Sequence, residues 1–296
     1  MQNILVYGTI LFDHMNDNYF IGGCHTNVAA HCAKLGLDTT MVSSIGKDTL
    51  GCEAVAWMNS IGIHTEYVTV DSEHPTGTVE VDLSNPQNPQ YLLLDNVAYD
   101  YIRLDEESLN QLKNREFDFM YFSTSEQRHD VSTETLHQLL SLLTVKNVFF
   151  DINLRKNCYT IPKIIASLEK TDILKVNEEE LGFLAANVLE TEGTEEEYIK
   201  DLVQEYAIRV IIVTRSGKGA SAYWDGKRVD AEAVPVEVVD TVGAGDGFSA
   251  AFINRFAQTG DIESALKAGA LMGSYVSGKR SAIPEYTEEF LRQMQY

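Results

Sequence analysis

Short apolar runs rich in β-branched and aromatic residues alternate along this chain with stretches of helical periodicity. Ile4–Tyr7, Thr40–Ser44, Phe117–Phe122, Asn147–Asp151, Ile173–Val176 and Val210–Thr214 predict strands. Thr26–Leu35, Leu50–Ile61, Asp105–Asn114, Thr133–Leu143, Tyr159–Leu168, Glu178–Asn187 and Glu195–Tyr206 predict the helices between them, and Ala244–Gln258 and Ile262–Val276 predict two longer helices near the end. Strands alternating with helices are the mark of βαβ units. The expected fold class is therefore α/β, with a mostly parallel central sheet sandwiched by helices.

Two stretches break the alternation. Asp17–Ile21 is a short strand-like piece directly after the first strand. Within Thr65–Tyr101, Thr78, Glu80 and Asp82 alternate with Val79, Val81 and Leu83, and Asn85–Pro89 carries turn residues. Period-2 alternation with a turn reads as an antiparallel hairpin, not as part of a doubly wound core. We therefore expect one domain over residues 1–296, with small lid segments at about 14–21 and 65–101, too small to fold alone. The competing reading makes this stretch an edge extension of the main sheet.

Composition narrows the function classes. Apolar residues make up 44% and charged residues 23%, which suits a globular chain with a full core. Lys and Arg total 23 against 44 Asp and Glu, a net charge of −21. Such a balance argues against nucleic acid, whose binding needs a basic surface to displace counterions, and against anionic membranes. A polyanionic small substrate would then have to rest on a metal, backbone N–H groups and a few local cations. No apolar run reaches the ~18 residues of a membrane span. No leader peptide is evident at the start. Cys24, Cys32, Cys52 and Cys158 lack C-x-x-C spacing, so free thiols in a cytoplasmic protein are expected.

The strongest chemical segment is Asp240-Thr-Val-Gly243-Ala244-Gly245-Asp246-Gly-Phe248, just before a helical run. Its glycines permit a tight turn and close approach of a ligand. The helix start adds unpaired N–H groups and about half a unit of positive charge, together an anion site suited to phosphate. A carboxylate at Asp246 would sit beside that phosphate, where it could take the proton of an attacking hydroxyl. Its plainer reading is an acid in the first turn of a helix. Gly22-Gly23-Cys24-His25-Thr26-Asn27 opens the first helix in the same way, with Asn27 offering both donor and acceptor. Asp13, after the first strand, could accept hydrogen bonds from substrate hydroxyls.

Other nucleotide motifs fail on context. No G-x-G-x-x-G follows the first strand, and Gly273–Lys279 matches G-x-x-x-x-G-K only with Arg280 at the Ser/Thr position and after a helix. No His spacing suits a transition metal.

Taken together, the two glycine blocks resemble the paired motifs of the ribokinase-like, PfkB-type sugar kinases, and the resemblance runs over nearly the whole chain. Asp151-Ile-Asn153-Leu-Arg155 resembles the D-x-N-x-R segment of fructokinase-like members. Asn177-Glu-Glu-Glu180 is similar to the family's N-x-x-E. Thr214-Arg-Ser-Gly-Lys-Gly219-Ala resembles the T-x-G-x-x-G-A nucleotide loop, with Ser216 where the first Gly usually stands. Leu94–Asp100 resembles an E-N-V-A-W-D stretch, and Ser123–Arg128 a G-S-L-A-Q-R segment. Cys24 and His25 depart from the small residues common after the glycine pair, and Val242 from a common Thr.

The resemblance implies a ribokinase-like fold with a β-lid over a sugar, and ATP-dependent phosphorylation of a sugar hydroxyl. It implies Asp246 as catalytic base, and Gly243, Ala244 and Gly245 as the anion hole. Asp13, Gly22, Gly23 and Asn27 match sugar-contacting positions. Asn177, Thr214 and Gly219 match nucleotide-binding positions, with Glu180 organising Mg²⁺ through water. The carbonyls of Asp240 and Val242 match a monovalent-cation site, for K⁺, of some members. A homodimer through the lid is also implied. Phosphoryl transfer fits this sparse set, because it asks a protein mainly for positioning and charge neutralisation. Tyr91 or Tyr99 could pack on the sugar, and His25 could touch it. Arg155, past a strand end, could hold a sugar oxygen or a carboxylate. The fructokinase-like segments favour fructose or a related ketose. 2-Keto-3-deoxygluconate or a nucleoside are the alternatives within the family, and a non-catalytic sugar- or nucleotide-binding regulator on the same fold is the alternative outside catalysis.

Overall fold

The computed structural model describes residues 2–15, 18–82 and 90–294. The main sheet begins with β1 (Asn3–Tyr7), which pairs in parallel with β4 (Asp38–Gly46) on one side and β8 (Glu116–Phe122) on the other. Beyond β4 lies β5 (His64–Asp71), also parallel. Beyond β8 follow β9 (Thr144–Asp151), β10 (Ile173–Asn177) and β11 (Val210–Thr214), again parallel. Two antiparallel strands, β12 (Ala220–Trp224) and β13 (Lys227–Ala231), close that edge of the nine-stranded sheet.

Both faces of the sheet are covered, as its apolar strands require. Alternation along β1 sends Ile4 and Val6 to one core and Leu5 and Tyr7 to the other. The first core takes Val28 and Ala29 of α1 (Cys24–Lys34), Phe248 and Phe252 of α8 (Ala244–Thr259), and Leu266 of α9 (Ile262–Ser277). The second takes Leu136 of α4 (Asp130–Leu142), Ile164 of α5 (Ile161–Leu168), Leu181 of α6 (Glu178–Asn187) and Leu202 of α7 (Glu195–Tyr206). Helix starts fall where side chains satisfy the first free N–H groups. Asp48 caps α2 (Thr49–Ser60), accepting from Gly51 N–H at 2.8 Å. Thr160 caps α5, which therefore begins two residues after the expected Tyr159.

A second sheet of four strands stands apart, in the order β3-β2-β6-β7. Its strands are β2 (Leu11–Met15), β3 (Asn18–Gly22), β6 (Gly77–Asp82) and β7 (Gln90–Leu93). Leu11, Val79, Val97 and Tyr99 form its buried face. Two expectations are corrected. The segment 65–101 is not one insertion: β5 belongs to the main sheet, with Thr40 opposite His64 and a register shift before Val42 meets Tyr67, and only the part from Gly77 enters the second sheet. The alternating pattern looks the same in either setting, because both strands are half-buried. The segment 14–21 likewise extends backwards, since β3 pairs antiparallel with β2, whose five residues are too few for periodicity to declare. The expected turn at Asn85–Pro89 and Asp17 lie outside the described residues.

Candidate active site

The candidate residues collect at the carboxyl ends of the parallel strands, where open α/β sheets form ligand crevices. Helices α1 and α8 start there side by side. Asn27, in the first turn of α1, donates its Nδ2 to Asp246 Oδ2 at 2.8 Å, joining the two glycine blocks. Asn27 is 3% exposed, and its Oδ1 has no hydrogen-bond partner among the described residues. A buried amide oxygen left open in this way carries a desolvation cost unless a ligand meets it.

Gly243 is the N-cap of α8 with φ +77°, and a Cβ there would come within 2.5 Å of Ala282 Cβ, so only glycine turns the chain into the helix at this point. Ala244 N–H is spent on Thr241 O at 3.2 Å. The N–H groups of Gly245 and Asp246 have no partner among the described residues, so the open donors of the expected anion hole sit one residue later than Ala244. Burial pushes the half-buried Asp246 carboxyl above its ordinary range; the Asn27 amide opposes this, Asp151 adds to it, and Lys175 and Arg155 oppose it.

Beneath this helix start lies a buried network built by three strands. Asp151, at the end of β9, receives three donors on Oδ2: Lys175 Nζ at 2.7 Å, Ser249 Oγ at 2.9 Å and Tyr121 Oη at 3.2 Å. Ser249 Oγ also stands 3.0 Å from Gly245 O. Burial works against the Lys175 ammonium, but Asp151 outweighs it and holds its pKa above the usual range. Sequence reasoning passed over Lys175, Ser249 and Tyr121. The one available signal was a lysine inside the apolar run Ile173-Leu-Lys-Val.

Asp13, on β2, lies beside Gly22, whose added Cβ would stand 2.7 Å from Asp13 Oδ2. Burial, and next the charge of Asp240, raise the Asp13 pKa to about 6. Gly23 precedes α1 as its N-cap. The departures from the family pattern meet each other here. Cys24 Sγ is 3.3 Å from His25 Nδ1 and 3.5 Å from Ser125 Oγ, and His25 Nε2 is 3.0 Å from Glu126 Oε2. His25 is fully enclosed and takes the Thr9 N–H on Nδ1, so it is not a surface that a sugar could touch. Tyr99 is buried with its hydroxyl unpartnered among the described residues. The Tyr91 side chain lies outside the described residues.

Asn177 caps α6 and forms a reciprocal box with Glu180: Asn177 Oδ1 accepts Glu180 N–H at 2.8 Å, and Glu180 Oε2 accepts Asn177 N–H at 2.9 Å. Glu180 Oε1 accepts Leu154 N–H at 3.0 Å. Burial, then Asp151, raise the Glu180 pKa, and these backbone bonds oppose the rise. Asn153, Arg155, Asn177, Glu180 and Phe183 line a cleft of about 400 Å³. Arg155 is exposed, and its guanidinium has no hydrogen-bond or ion-pair partner among the described residues. Thr214 ends β11, its Oγ1 donating to Val176 O at 3.3 Å. Gly219, with φ +94°, would put a Cβ 2.0 Å from Ala231 O. Ser216 takes φ +48°, the left-handed region that the family's glycine occupies freely. Asp240 and Val242 are exposed before α8, and neither carbonyl accepts a backbone hydrogen bond among the described residues.

The model of the pfkB family of carbohydrate kinases matches residues 4–288. The chain is 26% identical over 298 aligned positions to a 5-dehydro-2-deoxygluconokinase of Halalkalibacterium halodurans, covering 97% of this chain and 89% of that protein. The Bacillus subtilis protein of the same name is 26% identical, covering 95% and 87%. Among solved structures, Xylella fastidiosa fructokinase with bound ATP superimposes with a TM-score of 0.86 at 21% identity, covering 99% of this chain and 98% of that one. Vibrio cholerae fructokinase with fructose, ADP and calcium gives 0.80 at 21%, covering 96% and 95%. The sheet, the second sheet and the glycine-led helix starts thus belong to a known frame, and the chain is a member of the pfkB family of carbohydrate kinases, an ATP-dependent sugar kinase.

Proposed function

We propose that the chain phosphorylates a keto-sugar at its terminal hydroxyl, with Asp246 as the base. The observation that carries this is the Asn27–Asp246 bond, which aims a carboxylate at the mouth of the α8 anion site while leaving Asn27 Oδ1 open to a sugar hydroxyl. Asp246 takes the hydroxyl proton, the hydroxyl oxygen bonds to the γ-phosphorus, and the bond to the β–γ bridging oxygen breaks, releasing ADP. Open N–H groups at Gly245 and Asp246, with Gly243 setting the turn, would receive the charge on the transferred group. Asp13, Gly22 and Gly23 would face the sugar, and the second sheet would exclude water.

Asn177, Thr214 and Gly219 flank the place proposed for the nucleotide. Both Glu180 oxygens already accept backbone N–H groups, and no group of three or more His, Cys, Asp or Glu stands close enough together to hold a metal ion directly among the described residues. That donor set suits Mg²⁺ held through water, as its reluctance to dehydrate favours. Bound Mg²⁺ would neutralise phosphate charge. The open carbonyls of Asp240 and Val242 would suit K⁺. On β3, Tyr19 and Phe20 are about half exposed, which supports a homodimer through the lid. Four free cysteines suit a cytoplasmic setting.

Fructose is the first acceptor proposed. A keto-sugar acid is the second, favoured by the unpartnered Arg155 guanidinium near Asp246. The test is ADP release with fructose, 2-keto-3-deoxygluconate, 5-dehydro-2-deoxygluconate, ribose and adenosine. With the best acceptor, Asp246→Asn should cut kcat at least ~10²-fold at nearly unchanged sugar affinity. Near-normal turnover would refute the assignment of the base.

A further inference from the structure

We propose that Lys175 supplies the fixed positive charge for the transferred phosphoryl group, held below the first turn of α8 by Asp151 and Ser249. The inference rests on the kinase reading of the site and adds a residue to it. Three observations converge. Lys175 Nζ is the only heavy atom within 4 Å of where a Cβ on Gly245 would stand, among the described residues beyond its own helical turn and chain neighbours, at 3.5 Å. The ammonium therefore faces the residue whose N–H is open to an anion. Its carrier Asp151 is itself buried and takes two hydroxyl donors besides the lysine. Among the described residues Lys175 Nζ donates to Asp151 Oδ2 alone, and an ammonium has three N–H donors, so the lysine is not fully spent on it. Ser249 Oγ lies 2.9 Å from that carboxylate and 3.0 Å from Gly245 O, with its one proton between two acceptors, which sets the cation's carrier against the helix start.

The pair has no evident purpose in stability. Burying two charges costs several kcal/mol, and an apolar pair of similar volume is often as stable or more so. Stability alone therefore does not account for the pair. Asp246, Asp151 and Glu180 place three carboxylates around the site, and Lys175 is the buried cation among them. Without that ammonium an incoming triphosphate would meet the three carboxylates with no buried cation among them. In a strongly acidic protein, one ammonium in a dry position is worth far more than several on the surface.

The test compares Lys175→Met, Lys175→Arg and Asp151→Asn in the full chain, each checked by thermal melting. Calorimetric binding of Mg²⁺-tripolyphosphate needs no sugar and no turnover, so it reads the proposal even where every acceptor in the panel fails. Lys175→Met should weaken that binding ~10-fold or more and cut kcat ~10²-fold, with sugar KM within about threefold of wild type. Asp151→Asn removes the partner that keeps the buried lysine charged but also removes a negative charge beside the phosphate, so it should weaken tripolyphosphate binding clearly less than Lys175→Met does, and Lys175→Arg should recover part of the loss. If Lys175→Met does not melt cooperatively, Lys175→Met/Asp151→Asn removes both charges and should show the same weakened binding. Wild-type affinity in the lysine variants, or equal losses from Lys175→Met and Asp151→Asn as a purely structural ion pair requires, would overturn the proposal. Absence of turnover by the wild-type enzyme with intact tripolyphosphate binding would count against the acceptor assignment alone.

Discussion

Replacing Asn27 by Leu keeps the side-chain volume and deletes the 2.8 Å bond to Asp246 Oδ2. A hydrogen bond to a charged group is worth about 1.5–3 kcal/mol. Because 1.36 kcal/mol is tenfold in an ionisation equilibrium, the carboxylate should become roughly 10- to 100-fold harder to form. The sign follows from which state the amide favours. Its N–H stabilises the ionised carboxyl, so its loss pushes the Asp246 pKa further above the ordinary range, in the direction burial already takes it. At saturating sugar and ATP, kcat should therefore fall most on the acid side and recover as pH rises. ADP release followed across about pH 5.5 to 9 reads this directly, since kcat reports groups in the loaded enzyme. Sugar KM should rise at every pH, because Asn27 Oδ1 is also removed. A deficit in kcat that is uniform across pH would refute the claim that Asn27 acts through the charge of Asp246.

Asp13 provides a second pH effect. With its pKa near 6, sugar KM should improve as pH rises from about 5 to 7 and its carboxylate forms. Asp240→Asn removes the neighbouring negative charge and should move that transition to lower pH; a KM flat in pH would contradict the role. Arg155→Gln should lower kcat/KM for a keto-sugar acid about tenfold or more while sparing fructose, and equal effects on both would remove the carboxylate reading. Gly219→Ala forces a Cβ to within 2.0 Å of Ala231 O at a left-handed φ, which should cost about 2–5 kcal/mol and lower Tm; an unchanged melt would show that β12 and β13 shift freely.

Much of the frame is legible in the amino-acid sequence. All six strands expected from apolar runs form within the main sheet, and Glu178–Asn187 and Glu195–Tyr206 are helices at the expected bounds. Local physics explains this. Strands buried on both faces are mostly apolar, and Asn177 and Thr194 announce their helices by capping boxes. The glycine blocks are equally plain, because a turn at φ +77° leaves few alternatives to Gly243. What local pattern could not settle was partnership. β5 and β6 both fall within the one stretch 65–101, yet one joins the main sheet and the other the second sheet, and only long-range pairing decides between them. Ser216 shows that the loop after β11 takes a left-handed turn without the glycine that would have declared it. The Asn27–Asp246 bond and the Lys175–Asp151–Ser249 network likewise depend on residues far apart in the chain, brought to one helix start by the sheet order. Sequence alone determined the six inner strands of the main sheet, most of the helices and the glycine-led start of α8. Tertiary structure decided which charges gather at that helix start, because electrostatic effects depend on distance and burial and leave no period in the chain.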